Sequence, residues 1–117
     1  MKTISIVLSK SAISQLDLIS RDAEKSKRQK ALFLSINRKF DILKSNFQYG
    51  DPMAKAKIPG VYLAAYGITN LFRVELSNYW RMLYSVVNGA TESELTVFVV
   101  EILDHKEYDK RFGYKKR

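Results

Sequence analysis

Two stretches hold the side chains best suited to proton transfer and anion binding: Leu71 to Tyr84 (LFRVELSNYWRMLY) and Val97 to Tyr114 (VFVVEILDHKEYDKRFGY). Both read as strands, and side chains alternate faces along a strand. In the first, Phe72, Val74 and Leu76 share a side and leave Leu71, Arg73 and Glu75 on the other. In the strand that follows, Trp80, Met82, Tyr84 and Val86 suit a covered side, with Tyr79, Arg81, Leu83 and Ser85 opposite. In the last strand Val97, Val99, Glu101 and Leu103 share a face, joined by His105 if the strand runs on. With the bulky faces turned to helices, Arg73, Glu75, Arg81, Glu101 and His105 converge on the open side of the sheet.

That set matches the needs of metal-free ribonuclease chemistry. A base must take the 2′-hydroxyl proton, cations must hold the charge developing on the phosphoryl oxygens, and an acid must protonate the leaving 5′-oxygen. Arg81 is the best phosphate clamp, because guanidinium offers a planar fork to two oxygens. His105 and Tyr108 are candidate acid–base groups, and Glu75 is a candidate base. The plainer alternative is cross-strand ion pairing on a solvated face, with Tyr108 and Tyr114 packing the C-terminal end. The chain has no cysteine and one histidine, so a thiolate or multi-histidine metal site within it is excluded, and no cofactor is implied.

The elements that must position these groups follow from periodicity. Thr3 to Leu8 alternates as a strand. Ser9 or Ser11 can cap a helix from about Lys10 to Arg28, with Ala12, Ile13, Leu16, Ile19 and Ala23 as its stripe. Glu24 to Lys30, EKSKRQK, is a turn or polar helix end. Phe33, Ile36, Phe40, Leu43 and Phe47 recur at intervals of 3, 4, 3 and 4, the buried stripe of a second helix. Gln48 to Gly60 holds both prolines and reads as the main loop. Beyond it come strand-like segments at Val61 to Ala65, Leu71 to Leu76, Tyr79 to Val87 and Leu95 to Leu103, with an Asn-Gly turn at Asn88. The expected fold is α+β in the order β-α-α-β-β-β, an antiparallel sheet with an N-terminal helical hairpin packed on one face.

At 117 residues, 46% of them hydrophobic, residues 1–117 make one domain with a single core. The N-terminal apolar run is too short for a signal-peptide core and no stretch approaches a membrane span, so a cytoplasmic location is expected. Lys and Arg number 20 against 12 Asp and Glu, a net charge of +8. With a pI near 9.7, the chain favours polyanions or an acidic protein as partners.

The element order, the run F-R-V-x-L-S-x-Y-x-R-x-L-Y at Phe72 to Tyr84, and V-x-E-I-x-x-H-K-E-Y at Val99 to Tyr108 resemble the RelE/ParE toxin superfamily of type II toxin–antitoxin systems. The resemblance runs over nearly the whole chain, and its specific part lies in the last 50 or so residues. It implies a cytoplasmic toxin that cleaves mRNA on the ribosome, needs no metal or cofactor, and is silenced by a cognate antitoxin. It implies contact with operator DNA only through the antitoxin complex, and none with membranes. On the matched positions Arg81 contacts the scissile phosphate, Arg73 adds charge from the preceding strand, and His105, Lys106 and Tyr108 form the basic and aromatic cluster. Glu75 stands where some relatives carry lysine, which leaves the division of acid and base roles open. Lys55, Lys57, Lys106, Lys110 and Arg111, with Lys115, Lys116 and Arg117, would attract RNA phosphates. The same superfamily includes gyrase inhibitors, so a non-nuclease, ParE-like binding protein is the alternative.

Overall fold

The computed structural model describes residues 2–113. The chain runs β1 (Thr3–Leu8), α1 (Lys10–Asp22), α2 (Lys27–Ser45), β2 (Asp51–Pro52), α3 (Gly60–Tyr66), β3 (Phe72–Glu75), β4 (Arg81–Asn88), β5 (Glu94–Leu103) and α4 (His105–Phe112). Short 3-10 turns stand at Lys55–Lys57 and Ser77–Tyr79. The class is α+β, as the patterning predicts.

Serines begin both long helices. Ser9 Oγ accepts from the Ala12 N–H at 3.0 Å and Ser26 Oγ from the Gln29 N–H at 3.3 Å, each satisfying an orphan donor of the first turn. Ala12, Ile19, Leu32, Ile36 and Leu43 are buried against Val74, Met82, Tyr84, Val97, Val99 and Ile102 of the sheet. Phe33, Phe40 and Phe47 flank them, so the predicted α2 stripe faces the core. Ile13, expected in the α1 stripe, is exposed.

Among the described residues the sheet has five strands in the order β1-β5-β4-β3-β2. It is mixed rather than antiparallel. β1 pairs with β5 in parallel, Thr3 opposite Glu94 and Leu8 opposite Val99, while the other ladders are antiparallel. α1 and α2 carry the chain back across the sheet face, so the last strand arrives beside the first in the same direction.

The face opposite the hairpin is not open. Ile58, Tyr62, Ile68, Leu71, Leu83, Val100, Leu103 and Tyr108 form a second apolar cluster there, roofed by α3 and α4. The expected strand at Val61 to Ala65 is therefore the helix α3. Pro59 precedes it, and Gly67 closes it with φ +62°, the left-handed cap that glycine adopts without penalty. Seven mostly apolar residues carry too short a period to tell helix from strand.

A bulge re-sorts β5. Leu83 lies opposite Glu101 but Tyr84 opposite Val99, leaving Val100 as the extra residue. Val97 and Val99 point to the hairpin, whereas Glu101 and Leu103 point to the other side, so the predicted single face is split between two. β5 ends at Leu103, and His105 opens a helix instead of extending the strand. Asp104 caps that helix through Oδ1, which accepts from the Glu107 N–H at 2.8 Å. Among the described residues no helix is long and apolar enough to cross a membrane.

Candidate phosphodiester site

Tyr84 fixes the sheet edge beneath the candidate site. Its ring stacks on Phe72 at 5.0 Å, and its hydroxyl donates to the Phe47 carbonyl and accepts from the Gly50 N–H. A Cβ on Gly50 would lie 2.8 Å from Tyr84 Cε1, so only glycine permits this approach. The chain then enters β2, with Asp51 opposite Arg73 and Pro52, an edge residue, opposite Phe72.

The register sets Arg73 opposite Leu83 and Glu75 opposite Arg81, so both arginines and Glu75 share one face, as alternation predicts. α4 lays Tyr108 against them. Arg73 Nη1 donates to the Tyr108 hydroxyl at 3.2 Å, and the Arg81 guanidinium lies 4.8 Å from the centre of the Tyr108 ring. The bond to Tyr108 holds Arg73 above its ordinary guanidinium range, outweighing the opposing effect of burial.

Neither arginine is well partnered for its burial. The Arg81 side chain is 15% exposed, and its Nε sits 3.8 Å from Glu75 Oε1, an ion-pair distance but too long for a hydrogen bond. Arg73 Nη2 stands 3.8 Å from Asp51 and 3.9 Å from Glu75. The Nε atoms of both arginines are buried without a hydrogen-bond partner among the described residues. Unsatisfied buried donors are uncommon because each forfeits its hydration, so two on neighbouring guanidinium groups single this place out. Beside Arg73 opens a cavity of about 230 Å³ lined by Asp51, Met53, Lys57, Tyr108 and Phe112 among others.

The remaining predicted residues divide. Lys57 lines this cavity from its 3-10 turn, with Lys55 exposed beside it. Lys106 and Lys110 are exposed on α4, Lys110 within 3.7 Å of Glu107. His105 is the first residue of α4. It lies 3.3 Å from Asp109 and edge-on to Tyr79, with 6.4 Å between ring centres. His105 thus lies on a helix and not on the extension of β5 that alternation assumed.

Arg111 and Glu101 also depart from expectation. Arg111 Nη1 donates to Glu101 Oε2 at 2.8 Å, and Glu101 further accepts from Tyr62 at 3.1 Å and from Ser11. Glu101, only 7% exposed at its side chain, is a structural carboxylate, and Arg111 is its counter-ion. Burial raises the Tyr62 phenol well above its ordinary range, with Glu101 adding to the effect. Tyr114, Lys115, Lys116 and Arg117 lie outside the described residues.

Sequence reasoning placed Tyr79 in a strand. It sits instead in the Ser77–Tyr79 turn, where Asn78 has φ +61° and Tyr79 φ +65°. A left-handed backbone at a non-glycine residue costs about 1–3 kcal/mol and persists only where surrounding bonds over-determine it. Those bonds are present. Ser77 N–H donates to Ser35 Oγ, Asn78 Nδ2 to the Arg28 carbonyl at 3.0 Å, and Arg81 Nη1 to the Tyr79 carbonyl at 2.8 Å. The Ser-Asn pair was the available signal, since asparagine tolerates this conformation. No family model, curated protein or solved structure matches the chain.

Proposed function

We propose that this protein is a metal-independent endoribonuclease of the RelE type, cutting mRNA on the ribosome and held in check by an antitoxin. The observation that carries the reading is the pair of guanidinium groups of Arg73 and Arg81, each with an unpartnered Nε, gathered on Tyr108 beside Glu75. Their donors suit the non-bridging oxygens of one phosphodiester. In the reaction Glu75 takes the proton from the 2′-hydroxyl, whose oxygen attacks phosphorus. The bond to the 5′-oxygen breaks, and Tyr108 supplies the proton that oxygen needs. The products are a 2′,3′-cyclic phosphate and a 5′-hydroxyl end. Arg73 and Arg81 hold the charge that builds on the phosphoryl oxygens between these two events.

The test is primer extension on mRNA from ribosomes programmed in vitro, with purified protein and, in parallel, after induction in growing cells. New 5′-hydroxyl ends for the wild type, lost in Arg81→Ala and in Arg73→Ala, are the expected result. Cleavage that persists in the double variant overturns the assignment. The engagement of His105 by Asp109 and Tyr79 favours a second reading, a phosphodiester- or gyrase-binding protein without nuclease activity. Inhibition of supercoiling by purified gyrase, with mRNA left intact, would establish it.

A further inference from the structure

The Ser77–Tyr79 turn has a feature that packing does not explain. Tyr79 is 74% exposed, yet it is held in a backbone conformation that glycine would adopt more readily. At that exposure the aromatic group adds little to the core, and its ring meets only the edge-on contact with His105 among the described residues. The turn nonetheless points it at a defined place. Its carbonyl is bonded to Arg81, its ring stands edge-on to exposed His105, and its neighbour Asn78 is tied to the backbone of Arg28. Arg28 lies in the basic segment Lys25 to Lys30, whose lysines Lys25, Lys27 and Lys30 are all exposed.

We propose that Tyr79, with His105 beside it, is a stacking platform for a base of single-stranded RNA next to the scissile phosphate. From there the strand leads toward the phosphate contacts at Lys25 to Lys30. The inference rests on the phosphodiester reading and adds to it the polarity of the track: arginine pair, aromatic step, basic helix tip. Single-stranded RNA is held in this way elsewhere, by aromatic faces that accept unstacked bases and cations that follow the backbone. A duplex, whose bases are already stacked, gains nothing from Tyr79, so the platform also selects for an unpaired substrate.

The experiment measures anisotropy of a fluorescein-labelled 2′-O-methyl RNA 12-mer, which cannot undergo 2′-hydroxyl attack, with wild type, Tyr79→Gly, Tyr79→Trp and Arg81→Ala. Tyr79→Gly is expected to weaken binding about tenfold, a typical loss for one stacked base. Its melting temperature should be equal or higher, because glycine relieves the left-handed strain. Tyr79→Trp should bind like the wild type. Wild-type affinity in Tyr79→Gly, or a lower melting temperature accompanying its weaker binding, overturns the platform. If Arg81→Ala is impaired while Tyr79→Gly is not, the platform fails and the phosphodiester reading stands. If the wild type itself does not bind the oligonucleotide, the platform falls, and the phosphodiester reading is decided by cleavage on programmed ribosomes.

Discussion

Arg73 and Arg81 are neutralised at a distance. Asp51 and Glu75 stand 3.8 to 3.9 Å from them, close enough to offset charge and too far to occupy the guanidinium donors. Ion pairs of this kind with an exposed carboxylate contribute little stability, about 1 kcal/mol or less. A phosphate can therefore displace them without a large loss. Glu75 serves both states in this scheme, as a loose counter-ion in the free protein and as the base once RNA is bound. Glu75→Gln should lower the cleavage rate at saturating RNA by about 100-fold or more, in the range lost with a general base. Affinity for RNA should hold or rise, because a negative charge leaves the cleft. Single-turnover kinetics on programmed ribosomes, with binding measured separately, reads both quantities. A fall in affinity alone would remove Glu75 from the proton path.

At the scale of elements, α4 is the piece that completes the site, and Glu101 is what fastens it. Arg111→Ala would leave a buried carboxylate with, among the described residues, the hydroxyls of Ser11 and Tyr62 as its remaining partners. It should cost about 3 kcal/mol, readable as a lower urea midpoint with an unchanged slope. Cleavage should fall as well, because Tyr108 rides on the same helix. The Tyr62 phenol adds a pH dependence. Its folded pKa is raised, so the unfolded chain loses this proton first as pH climbs past the ordinary value of 10.0. The contribution is fully present below that pH and is lost progressively above it. Urea unfolding at pH 9 and pH 11 should show a fall in stability that is smaller in Tyr62→Phe. A good part of this architecture was legible beforehand. The 3-4 spacing of Phe33 to Phe47 marked α2, and strand alternation placed Arg73, Glu75 and Arg81 on one face. The bulge at Val100 was not legible, because VFVVEIL is apolar on both sides of it. Glu101, which alternation set on an open face, is buried instead and takes Arg111 as its cation. Helix α4 was written in Asp104 and Glu107, a cap and its first-turn acid, but the strong strand before them masked it.

Over the whole molecule, the excess of 8 positive charges would, under the proposed function, set how RNA is found and held. Each phosphate neutralised on a single strand steepens the log–log dependence of affinity on salt by about 0.7. Lys57, at the edge of the Arg73 cavity, should account for one such contact. Lys57→Ala should flatten the slope by about that amount, while Lys55→Ala, further from the cavity, should change it less. Anisotropy titrations from 50 to 300 mM KCl would resolve the two. The topology bears on timing as well. β1 is among the first segments made, yet it finds its partner only in β5, and Ser9 bonds to Val100, 91 residues later. So distant a pairing comes late in folding. A growing chain still attached to its ribosome has no closed sheet until Leu103 has emerged, and Tyr108 reaches Arg73 later still. For a nuclease directed at translated messages this delay is protective. A nascent chain that has not yet exposed Tyr108 is, on this reading, inert toward the message that encodes it.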